Sequence, residues 1–209
     1  MRKFTFLITL LAVSLSAITV VAGEKATLEK AAEVVNNTDA GVVINGIRWA
    51  TRNVDTPGTF VQNPENAGRF YQWNRRAGWA VGSVANWDSS NPESSVWSRA
   101  NNPCPQGWRL PTQAELQSLT SSRNTWTVRN GISGRLFGTA PNKIFLPASG
   151  FLRDSDGSWV KANNFGFYWS STQDGSGSAM GLTFGRNGAN VLTFWWQSSG
   201  FSVRCVAKE

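Results

Sequence analysis

The feature that most constrains this chain is its pair of cysteines, Cys104 and Cys205, the only two among its 209 residues. An even cysteine count in an exported chain indicates a disulfide. The bond would close a loop of roughly 100 residues, for which the chain-entropy model gives about 4.7 kcal/mol of stabilisation. A metal site would need more ligands, and a redox pair would need Cys-x-x-Cys spacing. We therefore predict a structural disulfide between the two cysteines.

The first 22 residues have the composition of a secretory signal peptide. Arg2 and Lys3 give a positive start, residues 4–21 are mostly apolar, and Ala22 stands where a signal peptidase cuts. A retained membrane anchor is the alternative, but the apolar run is of marginal length for a span and contains serines and threonines. We expect residues 1–22 to be removed, leaving one domain without a membrane span. The expected location is secreted, periplasmic or at the cell surface.

The composition also excludes several classes of function. The chain has no histidine, which removes Ser-His and Cys-His catalysis and the usual zinc hydrolase sites. Its formal net charge is +7, or about +5 once the predicted signal peptide is removed. The basic residues are spread along the chain without a run that could follow a phosphate backbone, so no nucleic-acid partner is expected. Acidic glycans or anionic surfaces are compatible with this charge.

Local patterns in the N-terminal half predict a linker, a hairpin and short helices. Residues 23–40 are interpreted as a linker or a short helix. Asn45 and Gly46 separate two short apolar segments and predict a hairpin with a type I′ turn. Phe70 and Trp73 are three residues apart, which favours a short helix over residues 68–73. Residues 82–102 are rich in Ser, Asn and Trp without a regular period, and we expect a long loop there.

The clearest local signal is a helix that follows Thr112. Thr112 and Glu115 have the spacing of a capping box, and Leu116 and Leu119 would face the core. Farther along, short apolar segments separated by Gly- and Asn-containing turns predict antiparallel strands from residue 144 to the end of the chain. Helices in the first half and strands in the second indicate the α+β class.

Several strings, taken in order, resemble one known family. They are GVVINGIRWATRNV (41–54), GRFYQWNR (68–75), NPCPQGWRLPT (102–112), LPASG (146–150), YWSST (168–172) and SVRCV (202–206). Together they resemble the Fibrobacter succinogenes major paralogous domain, common in secreted and surface proteins of Bacteroides-type bacteria. The resemblance covers residues 41–206, and we assign residues 41–207 to this domain.

The resemblance implies a single C-type-lectin-like domain, of the branch shared with formylglycine-generating enzymes. Those enzymes also carry an Arg-Leu-Pro-Thr-x-x-Glu string, which stands here at residues 109–115. Their activity depends on two active-site cysteines that bind copper. Here the only cysteines, Cys104 and Cys205, look like the family's structural bridge, so that activity is not carried over. We expect no metal and no cofactor.

The tryptophans are the candidate binding residues, since an indole offers a flat face for sugar C–H groups and an N–H for a hydroxyl. Most of the eleven are expected in the core, including Trp49, Trp73, Trp108 and Trp169. Trp195 and Trp196 are strand neighbours that must point to opposite faces, and Phe194 and Leu192 should share a face with Trp196. We expect a binding surface near one of this pair. Trp87 and Trp97, in the loop region, are the second choice.

Three functions remain open at this stage. The first is a non-catalytic module that binds an extracellular glycan or a host surface. The second is a structural or adhesive subunit that binds another protein through exposed aromatics. The third is a hydrolase or a degenerate relative of formylglycine-generating enzymes, since a glycosidase needs only two facing carboxylates. Its candidates are Glu65, Asp88, Glu93, Glu115 and Asp174. The Asn-Pro strings and residues 154–157 are interpreted as turns rather than calcium loops.

Overall fold

A computed structural model describes residues 22–28, 38–82, 84–92, 94–175 and 177–208, without the side chains of residues 192 and 193. The predicted signal peptide, apart from Ala22, lies outside the described residues, and so do residues 29–37 of the predicted linker. Residues 22–28 form a short helix, α1, within the N-terminal unit Met1–Asn36. The remaining elements belong to a second compact unit, Asn37–Glu209. Neither helix of the described residues is both long and apolar enough to cross a bilayer.

The second unit is built mainly of short strands around one α-helix. The helix, α2, spans Gln113–Ser121, and a 3₁₀ turn spans Arg99–Asn101. The strands are β1 (Val42–Ile44), β2 (Ile47–Trp49), β3 (Phe70–Gln72), β4 (Gly78–Trp79), β5 (Trp108–Arg109), β6 (Asn124–Arg129), β7 (Ile132–Thr139), β8 (Asn142–Pro147), β9 (Phe151–Leu152), β10 (Trp159–Val160), β11 (Phe165–Gln173), β12 (Ser178–Gly185), β13 (Gly188–Trp196), β14 (Gly200–Phe201) and β15 (Val206–Ala207).

The described strands form four sheets, and every pairing between the named strands is antiparallel. Their orders are β1-β2-β15-β5, β10-β9-β14-β3-β4, β11-β12-β13 and β6-β7-β8. In the first sheet β15 lies between β2 and β5, so the beginning and the end of the domain are joined by backbone hydrogen bonds. The last segment of the domain is therefore held both by the disulfide at Cys205 and by the pairing of β15, which begins at the next residue.

The predicted hairpin and the predicted helix cap are both confirmed. Ile44 pairs with Ile47 across a turn in which Asn45 and Gly46 have positive φ angles of 51° and 81°, as a type I′ turn requires. At the start of α2, the Thr112 hydroxyl accepts from the Glu115 amide at 3.2 Å, and the Glu115 carboxylate accepts from the Thr112 amide at 2.7 Å. Leu116 and Leu119 are buried beneath the helix, as its period predicts.

The helix predicted over residues 68–73 is wrong. Phe70–Gln72 is the strand β3, and all three of its side chains are buried. It pairs with β4 on one side and with β14 on the other, where Tyr71 lies opposite Phe201. Because both faces of β3 are covered, its apolar residues do not alternate, and the spacing of Phe70 and Trp73 imitates a helix face.

The predicted α+β class overestimates the helix content of the first half of the domain. The antiparallel strands expected in the C-terminal half are present, and the described residues contain only two short helices. Five strands lie between residues 42 and 109; β1 and β2 form the predicted hairpin, and β3, β4 and β5 were not expected. The domain is therefore mostly β-sheet, with short helices and one disulfide.

The disulfide between Cys104 and Cys205 is confirmed, and it lies within the packed interior. Cys205 is fully buried, and its carbonyl accepts from the Ala50 amide at 2.9 Å. The four tryptophans expected in the core are buried there: Trp49, Trp73, Trp108 and Trp169.

Arg204, the neighbour of Cys205, is a fully buried cation. Its guanidinium donates to Asn53 Oδ1 at 2.9 Å, to the Ala50 carbonyl at 3.2 Å and to the Phe145 carbonyl at 3.0 Å. Burial lowers the pKa of Arg204 to about 10. These three bonds tie Arg204 to the segment that follows β2 and to β8.

Candidate functional site

The sheet of β11, β12 and β13 carries aromatic side chains on both of its faces. Phe194 lies opposite Met180, and Trp196 lies opposite Ser178, on the neighbouring strand β12. Phe194 is 64% exposed and Trp196 is 54% exposed, whereas Trp195 packs against the core. The two adjacent tryptophans point to opposite faces and Phe194 shares the face of Trp196, as expected, and the structure identifies Trp196 as the more exposed of the two. We call Phe194 and Trp196 the aromatic surface.

Trp195 is partly buried and packs against the core. Its ring centroid lies 5.7 Å from that of Phe151, 5.2 Å from Phe167 and 5.5 Å from Phe201. Its indole Nε1 is buried and has no hydrogen-bond partner among the described residues. The side chain of Leu192, expected on the face of Trp196, lies outside the described part of the structure.

The end of β13 is anchored by the residue that follows it. The Gln197 amide donates to the Gly177 carbonyl at 3.0 Å, and the Gln197 side-chain amide donates to the Ser178 carbonyl at 3.1 Å. The Trp73 amide donates to the Gln197 carbonyl at 2.8 Å. Because Gln197 is fully buried, these bonds hold the backbone directly after Trp196 in place.

A polar side chain lies beside the aromatic surface. A Cβ atom built on Gly177 would lie 2.6 Å from Asn91 Nδ2 and 4.0 Å from Trp196 Cζ3, so Asn91 and Trp196 flank the same glycine. Gly177 also has a φ of 81°, which favours glycine. An exposed amide next to an indole can bond a hydroxyl while the ring contacts C–H groups.

Trp87 has a packing role in the loop region. Its Nε1 donates to the Asp154 carbonyl at 2.8 Å, and its ring centroid lies 5.4 Å from that of Trp79. A Cβ atom built on Gly157 would lie 2.8 Å from Trp87 ring atoms, so the indole lies directly on that glycine. Trp87 is half-buried and is engaged by the turn between β9 and β10.

Trp97 lines a surface pocket of about 490 Å³. We call it the basic pocket and define it by the side chains that carry its chemistry: Trp97, Arg99, Arg109, Thr112, Ser171 and Lys208. The Trp97 ring packs edge-on against Trp73 with centroids 5.5 Å apart, and its Nε1 donates to the Asn101 carbonyl at 3.1 Å. The aromatic surface and the basic pocket share no residue, so the four predicted tryptophans do not form one site.

One of the three cations in the basic pocket is already neutralised. Arg109 donates to both carboxylate oxygens of Glu115, at 2.8 and 2.7 Å. Burial raises the pKa of Glu115, but the hydrogen bonds from Arg109 and Thr112 outweigh it and hold that pKa below its usual value. Within the part of the chain that the structure describes, Arg99 and Lys208 have no ion-pair partner.

Three of the five carboxylates considered for hydrolysis contact arginines: Glu65, Asp88 and Glu115. Glu65 lies 3.2 Å from Arg129 Nε, and Asp88 forms an ion pair with Arg75. The hydrogen bonds from Ser90 and Arg75 lower the pKa of Asp88 to about 2. Glu93 lies outside the described residues, and in the described ones no group of three or more acidic or thiol side chains is arranged to hold a metal ion.

Sequence reasoning did not place Asn91 beside Trp196, and it did not link Trp97 to the other side chains of the basic pocket: Arg99, Arg109, Thr112, Ser171 and Lys208. Arg99 stands two residues after Trp97, which is a weak local signal. Lys208 comes from the opposite end of the domain, and no local pattern links it to Arg99.

These observations define a tryptophan-rich, disulfide-closed β domain with an anchored aromatic surface. The chain matches the family model of the Fibrobacter succinogenes major domain over residues 19–207. Because this match covers most of the chain, the protein belongs to that family. Comparison with curated proteins gives no match, and comparison with solved structures gives none either.

Proposed function

We propose that this protein is an exported, non-catalytic binding module that holds a glycan against its aromatic surface. The observation that carries the proposal is the exposure of Phe194 and Trp196 side by side on one face of β13. Large aromatic side chains are usually buried, and exposed ones that share a face are typical of interaction sites. The disulfide and the predicted signal peptide support a location outside the cytoplasm.

The chemistry of the aromatic surface suits a sugar ring. An indole face attracts the C–H groups of a pyranose, and aromatic rings supply contact area at a low cost in side-chain entropy. Asn91, on the other side of Gly177, offers a donor and an acceptor for ring hydroxyls. The anchored strand end keeps this arrangement in place, which reduces the ordering that binding would otherwise require.

A glycan array followed by titration calorimetry tests the proposal. We expect Trp196→Ala to abolish measurable binding of a glycan found on the array, and Phe194→Ala to weaken it about tenfold. Trp159→Ala is the matched control, because Trp159 is also exposed but lies on β10, in another sheet. Retention of binding by Trp196→Ala and Phe194→Ala would reject the aromatic surface as the site.

A second candidate function is adhesion to another protein. It is favoured by the position of β13, which is the edge strand of its sheet and carries both exposed aromatics. Edge strands can add a strand from a partner. An array without ligands, together with self-association in solution that Trp196→Ala abolishes, would favour this function over the first.

We also propose, from the resemblance of the sequence strings, that the domain has a C-type-lectin-like fold. The pairing of β15 with β2 and β5, which joins both ends of the domain, supports it. An experimental structure superposed on a lectin-like domain is the test, and a different strand order would reject it.

A further inference from the structure

The basic pocket has an excess of positive charge that the described residues do not compensate. Arg109 is paired with Glu115, but Arg99 and Lys208 remain without a carboxylate among the described residues. Arg76 adds a third cation next to the pocket, because its guanidinium donates to the carbonyl of the pocket residue Asn102 at 3.2 Å. Several cations that line one concave surface create a positive potential there, which favours the binding of an anion.

The segment that carries Trp97 and Arg99 is fixed by hydrogen bonds from a buried residue. Asn74 Oδ1 accepts from the Ser98 amide at 2.7 Å, and the Asn74 carbonyl accepts from Asn101 Nδ2 at 2.7 Å. Asn74 is buried, and its φ of 54° turns the chain toward this segment. The cation and the indole are therefore presented on a backbone that is already positioned.

Lys208 is positioned from the other side of the pocket. Its amide donates to the Gly107 carbonyl at 2.8 Å, directly after β15. Trp97 and Leu110 add apolar surface, while Thr112 and Ser171 add hydroxyl groups. The volume of about 490 Å³ falls in the usual range of small-molecule sites, roughly 300–1,000 Å³.

A second basic depression on the surface differs from the basic pocket in how its cations are engaged. It is lined by Lys161 and Arg186, but each of these cations already lies over an aromatic ring. Lys161 Nζ is 5.4 Å from the Phe165 centroid, and Arg186 Cζ is 5.9 Å from the Trp126 centroid. Their charges are partly engaged within the protein, whereas no ring contact of this kind involves Arg99 or Lys208 among the described residues.

We propose that the basic pocket binds the carboxylate of an acidic sugar, a uronic acid unit, between Arg99 and Lys208, with the sugar ring against Trp97. The guanidinium of Arg99 matches a planar carboxylate with two parallel donors, and the ammonium of Lys208 supplies a second charge-assisted bond. The indole of Trp97 accepts the C–H face of the ring. The hydroxyls of Thr112 and Ser171 already bond Glu115 and the Pro111 carbonyl, so towards a ring hydroxyl they act as acceptors. This site is separate from the aromatic surface and goes beyond the proposed function.

Titration calorimetry of the full domain with oligogalacturonate and oligoglucuronate tests the proposal, with neutral galacto- and gluco-oligosaccharides of the same length as references. We expect binding of at least one acidic probe, no binding of its neutral counterpart, and weaker binding as the salt concentration rises. Arg99→Gln and Lys208→Gln should each weaken binding roughly tenfold or more, the usual size of a lost charge-assisted bond. Both residues are exposed, so the variants should fold.

Two control variants distinguish binding in the basic pocket from a general effect of positive charge and from binding at the aromatic surface. Arg186→Gln makes the same change of charge in the second basic depression and should alter the affinity less than about twofold. The probes are also titrated into Trp196→Ala, which lacks the aromatic surface but retains every residue that lines the basic pocket. Acidic-probe binding that persists in Trp196→Ala and is lost in Arg99→Gln is assigned to the basic pocket, so a failure of the aromatic surface as a glycan site is distinguishable from a failure here. The proposal is overturned if neither acidic probe binds, if the neutral probes bind equally well, or if Arg99→Gln and Lys208→Gln bind like the unmodified protein.

Discussion

The packed aromatic cluster and the exposed aromatic surface meet on one strand, β13, where Trp195 belongs to the first and its neighbours Phe194 and Trp196 to the second. In the interior, Trp169 stacks on Phe201 with centroids 4.1 Å apart, and Trp195 packs against the edge of the same ring. At the surface, Phe194 and Trp196 leave more than half of their side chains in solvent. One strand, β13, therefore supplies both the packed cluster and the exposed pair by simple alternation.

The difference shows where stability and binding are located. A buried aromatic contributes through the apolar area removed from water and through the contacts of a close-packed interior. An exposed ring contributes little to folding, because most of its area stays in water in both states. If this comparison holds, substitutions should become less damaging in the order interior, boundary, surface.

The largest expected effect in the interior is loss of the disulfide. Replacing Cys104 and Cys205 by Ala together should lower the free energy of unfolding by about 4.7 kcal/mol, because the unfolded chain regains the freedom of a long loop. Urea unfolding monitored by tryptophan fluorescence measures it. Alanine avoids burying a hydroxyl at these two interior positions. Equal midpoints for the variant and the oxidised protein would show that the sheet β1-β2-β15-β5 closes the domain without help from the bond.

Trp169→Ala tests the packed cluster itself. The substitution removes the stack on Phe201 and the bond from Trp169 Nε1 to the Tyr71 carbonyl at 2.6 Å. A cavity of this size in a core costs about 3–5 kcal/mol, measurable as a shift of the urea midpoint. Trp169→Phe keeps a ring in place and should cost clearly less. Similar losses for both variants would mean that the hydrogen bond, rather than packing, dominates at this position.

Glu115 lies at the boundary, and its effect should depend on pH. Its pKa is below the usual 4.5 in the folded protein, so the unfolded chain binds the proton first as the pH falls. The stabilisation by Glu115 is therefore present above about pH 4.5 and is lost below it. Glu115→Gln should cost about 1 kcal/mol at pH 7, through the lost ion pair with Arg109.

Urea unfolding of Glu115→Gln and of the unmodified protein, at neutral pH and near pH 3, checks this expectation. The difference between the two should shrink as the pH falls. Asp154→Asn serves as the control, because Asp154 has no ion pair among the described residues and should change stability by less than about 0.5 kcal/mol. A difference that is constant across this pH range would contradict the assigned role of the carboxylate.

The local parts of the fold were predictable from the sequence, and the long-range parts were not. The turn at Asn45 and the cap at Thr112 depend on residues within four positions, and both were predicted. The hairpin between β6 and β7 was missed although Asn130 and Gly131, with φ angles of 48° and 79°, carry the same turn signal as the first hairpin. That element could have been found by the reasoning that found the first.

Other features had no local signal. β3 was predicted as a helix because its pairing partner β14 is far away in the sequence and its side chains are buried on both faces, so no alternation marks it as a strand. Nothing near Arg204 indicates that its guanidinium is buried against Asn53, near the opposite end of the domain. The basic pocket was not predicted for the same reason: Arg99 and Lys208 are far apart in the sequence, and Lys208 reaches the pocket because β15, directly before it, pairs with β2 and β5. Alternation along one strand predicted that Phe194 and Trp196 share a face, but which face is exposed depends on the long-range packing of Trp195.

The smallest expected effect on stability belongs to Trp196, and its neighbour makes the comparison direct. Trp195 and Trp196 have the same side chain on consecutive positions of one strand and differ only in the face to which they point. Trp196→Ala should change the free energy of unfolding by less than about 0.5 kcal/mol, whereas Trp195→Ala should cost more than about 2 kcal/mol. Urea unfolding of both variants measures the contrast. A large loss in Trp196→Ala would mean that the exposed indole holds Gly177 and Asn91 in place as part of the fold, and the aromatic surface would then be structural rather than available to a ligand.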